Sequence, residues 1–64
     1  MTTQKDIQRY LQNWQKEIDG AALYHALSAA EKLPEMKDVY RRLAETEEKH
    51  AAFWEGKLQE AKQP

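Results

Sequence analysis

Residues 27–38, LSAAEKLPEMKD, divide the chain into two helices. Leu33 stands before Pro34, and the residue before a proline is pushed out of the helical region. Pro34 in turn suits the first position of a new helix, with Glu35 and Asp38 in the first turn, where the helix dipole favours acids. Upstream, Ile7, Tyr10, Leu11, Trp14, Ile18, Ala21 and Leu27, with Tyr24 and Ser28 on the same face, recur at helical spacing. Downstream, Met36, Tyr40, Leu43, Trp54 and Leu58 form a second such stripe, with a gap at its middle. Thr3-Gln4-Lys5-Asp6 has the form of a capping box, with Asp in place of the usual Glu or Gln. The reading is all-α: one domain over residues 1–64, with helices over about 3–32 and 35–62 joined as an antiparallel hairpin. Gln63-Pro64 is expected to fray. Asp38–Arg42, Arg41–Glu45 and Glu45–Lys49 are i,i+4 pairs that add about 0.2–0.5 kcal/mol each.

Each helix is about 28 residues long, roughly 42 Å. A lone hairpin of that length leaves much of both stripes exposed, whereas two copies packed as a four-helix bundle cover them. Composition points the same way. A chain of 64 residues buries little apolar surface, and such chains usually add disulfides, a metal or a partner. Cysteine is absent, which excludes disulfides, thiolate zinc sites and thiol nucleophiles. Metal, self-association or both remain. Ten basic and eleven acidic residues are interleaved without a basic block, so nothing favours a nucleic-acid partner. With no leader and no apolar run near the length of a membrane helix, the expectation is a soluble, cytoplasmic chain.

The gap in the second stripe is filled by Glu47 and His50, and Glu17 lies in the first stripe. Charged groups rarely occupy a core-facing stripe without compensation. A hairpin that turns at Leu33-Pro34 sets Glu17 level with His50 and Glu47 level with Gly20, about 4.5 Å along the axis. Glu47 and His50, three apart, share a face, whereas Glu48 points about 100° away. Gly20 leaves room opposite Glu47. Di-iron carboxylate bundles take a Glu from each of two helices and a Glu-x-x-His from each of the other two. This hairpin supplies one of each, and two copies complete the set. Four carboxylates balance two divalent ions, and the oxygen-plus-imidazole donors suit iron or manganese.

The stretches NWQKEIDGAALYHALSAAEK (13–32) and VYRRLAETEEKHAAFWEGKL (39–58) resemble the ferritin-like, rubrerythrin-type half-motif. They are most similar to the N-terminal ferritin-like domain attached to transporters of the vacuolar iron transporter family. The encapsulated ferritins are similar in plan, a two-helix chain whose dimer builds the di-iron centre. The resemblance implies a four-helix bundle made by a homodimer, or a multiple of dimers, holding two irons per dimer. It also implies ferroxidase activity, Fe(II) oxidised by oxygen, with Glu17, Glu47 and His50 as metal-binding and catalytic residues. Tyr24 matches a tyrosine near the centre of the encapsulated proteins, and Leu23 stands where those tend to carry tryptophan. A role at the cytoplasmic face of a membrane iron transporter follows from the same resemblance. The chain then reads as an excised domain or as a short stand-alone relative.

Other residues carry plainer readings. His25 is expected at the surface or an interface, and Glu31 as a solvated helix-end carboxylate rather than part of an ion route. Tyr10, Trp14, Tyr40, Phe53 and Trp54 read as core and interface packing, with Tyr40 also a candidate donor to a ligand carboxylate. Two alternatives to ferroxidase chemistry stand beside it: a non-catalytic dimerisation or docking module, and a metal sensor or delivery domain attached to a membrane iron transporter.

Overall fold

A computed structural model describes residues 2–62. It contains two helices, α1 (Gln4–Ala30) and α2 (Pro34–Lys62), packed against each other as an antiparallel hairpin measuring 49 × 14 × 10 Å. Gln63 and Pro64, expected to fray, lie outside the described residues.

The start of α1 is the capping box that Thr3 and Asp6 foreshadow. Thr3 Oγ1 accepts from the Asp6 backbone N–H at 3.1 Å, and Asp6 Oδ2 accepts from the Thr3 N–H at 3.2 Å. The shorter carboxylate closes the box. The Thr3 backbone N–H is the main reason the Asp6 carboxyl sits below its ordinary range. The C-terminal boundary falls at Ala30, short of Lys32. Glu31 leaves the helix in an extended conformation, and its Oε1 accepts from the N–H groups of Lys32 and Leu33 at 3.0 and 3.2 Å. A side chain that satisfies the backbone locally competes with continuing the helix. Glu31 therefore shapes the turn instead of standing free in solvent.

The turn is clamped across its mouth. Lys37 Nζ donates to the carbonyls of Ser28 and Ala29 at 2.9 and 3.3 Å, and Ser28 Oγ donates to the Lys37 carbonyl at 2.9 Å. The lysine supplies charge to the C-terminal end of α1, where the dipole is negative. Lys37→Met is expected to cost about 0.3–1 kcal/mol, read as a lower urea midpoint with an unchanged slope. On the outside of α2, Arg41 holds both Asp38 and Glu45 and Arg42 holds Asp38, so Glu45 pairs with Arg41 and not with Lys49.

The core departs from the stripes as read. Its fully buried members are three alanines, Ala21, Ala44 and Ala51. Leu43, placed in the α2 stripe, is 39% exposed, and Leu11 and Leu27 of α1 are 48% and 37% exposed. The seam of α1 runs Ile7, Tyr10, Trp14, Glu17, Ala21, Tyr24, Ser28 at alternating steps of three and four. That is the heptad spacing of two helices wound on each other. Alanine gives a weak apolar signal in a sequence. At a close crossing, however, it is the side chain that fits, and the larger residues move to the flanks. Two aromatic stacks bracket the centre: Tyr10 on Trp54 at 5.8 Å towards the open end, and Tyr24 on Tyr40 at 6.5 Å towards the turn.

Large apolar side chains thus remain uncovered. Val39, Leu43 and Phe53 are exposed and lie on one row of α2 with His50, because steps of three, four and seven return to the same face. Leu27 is likewise in the row of Gly20 on α1, seven residues on. One face of the hairpin is therefore a strip of leucine, valine and phenylalanine with the three candidate ligands in its middle.

Candidate metal centre

Glu17 comes from the α1 seam, and Glu47 and His50 come from adjacent turns of α2. The structure brings them together, with one donor atom from each within 4.8 Å of the others. His50 Nδ1 lies 3.4 Å from Glu17 Oε2. The Glu17 side chain is mostly covered at 23% exposure, while His50 at 55% faces outward across the apolar strip. Two carboxylates and an imidazole at this separation can converge on one divalent cation, and their hard oxygen and nitrogen donors fit iron or manganese.

The electrostatics are those of two carboxylates held close together. The Glu47 carboxyl is pushed above its ordinary range, first by hydrogen bonding with the Glu17 carboxyl. Partial desolvation and repulsion from Glu17 add to this, and His50 opposes it. The sign for stability follows. A carboxyl whose pKa is higher in the folded chain stabilises it below the unfolded pKa, and that contribution is lost as pH rises through the folded pKa. Without metal, Glu47→Gln should match wild type near pH 4 and become the more stable chain as pH rises towards 7. Adding Mn(II) at pH 7 should reverse the order. Thermal unfolding across pH with and without Mn(II) checks this, and parallel pH profiles for the two proteins would refute it.

Glu48 turns to the opposite flank, where its Oε2 lies 3.3 Å from His25 Nε2. That contact accounts for both residues outside the cluster and agrees with His25 as a surface side chain. Tyr24 and Tyr40 stack on each other one layer nearer the turn. Among the described residues, neither hydroxyl hydrogen-bonds to Glu17, Glu47 or His50. On the His25 flank, Trp14 Nε1 donates to Glu55 Oε1 at 2.9 Å beside a shallow groove lined by Leu11, Leu58 and Gln59. No spacing in the sequence announces that contact, because it depends on how far two side chains reach across one flank.

Among known proteins, the model of the rubrerythrin family matches residues 5–63. The chain belongs to the rubrerythrin family. No curated protein and no solved structure matches it. A rubrerythrin-family chain is ferritin-like, and membership points to iron binding, for which Glu17, Glu47 and His50 are the candidate group. None of the helices described in this rubrerythrin-family chain is long and apolar enough to cross a membrane.

Proposed function

We propose that this chain is half of a di-iron ferroxidase, completed when two copies pair through the apolar strip around Glu17, Glu47 and His50. The observation that carries the reading is the convergence of those three donors within 4.8 Å in a chain matched over residues 5–63 by the rubrerythrin model. Three donors undersupply a redox centre, and a two-fold partner doubles them to four carboxylates and two imidazoles. Exposed Leu27, Val39, Leu43 and Phe53 around the site support pairing on that face.

Within this reading, the reaction takes one electron from each Fe(II), with oxygen or peroxide as acceptor. A pair of divalent ions held a few ångströms apart would supply Lewis acidity and exchange electrons with that acceptor. The chain's own residues do the rest. Glu17 and Glu47 would offer the carboxylate oxygens that hold the cations, and any proton on the Glu47 carboxyl would be released to solvent on binding. His50 contributes a terminal nitrogen, and the leucines of the strip keep bulk water from the joined face. The transporter-like resemblance of residues 13–32 and 39–58 supports a setting at the cytoplasmic face of a membrane iron transporter.

Native mass spectrometry before and after anaerobic Fe(II) addition tests the assembly, and absorbance after air exposure tests turnover. An even-numbered oligomer with one iron per chain and Fe(III) formation is the expected outcome. An oligomer that binds no iron would leave a helical interaction module, and bound iron without oxygen-dependent turnover would leave a sensor or delivery domain.

A further inference from the structure

We propose that Gly20 is a positioning residue of the metal site: the space left by its missing side chain is where the Glu47 carboxylate lies. The inference rests on the metal-site reading above and adds a residue to it. Gly20 sits in the interior of α1, where glycine disfavours the helix relative to alanine. Its backbone does not call for glycine, since no glycine among the described residues has positive φ. Something else must account for it.

A Cβ built at Gly20 would meet Glu47 Oε2 at 3.2 Å, Cδ at 3.3 Å and Cγ at 3.5 Å. These are all atoms of a single side chain, and the two shortest distances fall on its carboxylate end. The tight contact is therefore with the ligand, not with the opposing backbone, and a shift of the Glu47 carboxylate relieves it. Because Glu47 reaches Glu17 and His50 from against the α1 backbone, that shift alters how its carboxylate meets the other two donors. The second glycine of the chain supplies the contrast. A Cβ at Gly56, also inside a helix, meets nothing within 4 Å.

Gly20→Ala and Gly56→Ala, made in the full chain, separate the two roles. Both are expected to raise the metal-free melting temperature, by about 4–8 °C for a chain of this size, because both remove a helix-breaking residue. Only Gly20→Ala is expected to weaken Co(II) binding, by about 10–100-fold, the range for residues that orient a ligand, with an altered visible absorption of the bound Co(II). In a Glu47→Asp background, where the carboxylate is drawn back by one methylene, the added cost of Gly20→Ala should shrink at least threefold. Wild-type affinity in Gly20→Ala, an equal loss in Gly56→Ala, or a full penalty persisting in the Asp background overturns the proposal. A wild-type chain that takes up no Co(II) is a different result, since it overturns the metal-site reading beneath.

Discussion

Saturating divalent metal is expected to stabilise the wild-type chain strongly and to do nothing for Glu47→Ala. A ligand that binds only the folded state contributes about 2.7 kcal/mol at a hundredfold excess over its dissociation constant. For a chain of 64 residues, at about 4–8 °C per kcal/mol, that amounts to a rise in melting temperature of roughly 10–20 °C. Glu47 is one of the two carboxylates in the cluster, so its loss removes an oxygen donor and a negative charge from the site. Without metal the substitution should be neutral or stabilising near pH 7, because the ionised Glu47 carboxylate is disfavoured there by its contact with Glu17, by partial desolvation and by repulsion. The opposite signs with and without metal are the diagnostic feature. Calorimetric scans of both proteins with Mn(II) and with chelator check it, and a metal-induced rise that survives Glu47→Ala would refute the assignment.

If two copies pair as proposed, Leu43→Lys should separate them and take the complete ligand set with it. Leu43 is exposed in the single chain and lies on the His50 row, so in a two-fold assembly it meets the partner twice, once from each copy. Burying a leucine contributes about 1.5–3 kcal/mol, so a symmetric pair loses about 3–6 kcal/mol, which weakens association by at least roughly a hundredfold. Sedimentation equilibrium should report monomer at concentrations where wild type is dimeric, and Fe(II) oxidation should fall with the dimer population. Leu11→Lys is the matched control. Leu11 is also exposed, but it lies in the groove with Trp14 and Glu55, on the flank of the His25–Glu48 pair. If Leu11→Lys dissociated the copies and Leu43→Lys did not, the pairing face would be the wrong one, and the candidate centre would lack its second half.

Much of this was legible in one dimension, and the reason is helical periodicity. A helix repeats at a fixed angle per residue, so spacing alone sets Glu47 and His50 on one face and turns Glu48 away. A proline break between two long periodic segments admits a hairpin, and a hairpin with a short connection sets Glu17 level with His50. The capping box at Thr3 and Asp6 was readable for the same reason, since all its atoms lie within one turn. Contacts made by side chains reaching across a flank of the two helices were not readable. The Trp14–Glu55 and His25–Glu48 pairs depend on side-chain reach between flanks, and neither has a spacing that marks it.

The sequence by itself determined the two helices, the break between them and the three donors at one level, because each follows from local geometry and from the cost of placing charge in an apolar stripe. Only the tertiary structure decided what lies at the seam. How closely the helices approach is a property of the packed pair, and that distance made Ala21, Ala44 and Ala51 the core and turned Leu27 and Leu43 outward. The same close approach brings the Glu47 carboxylate against Gly20, where a single methyl would displace it.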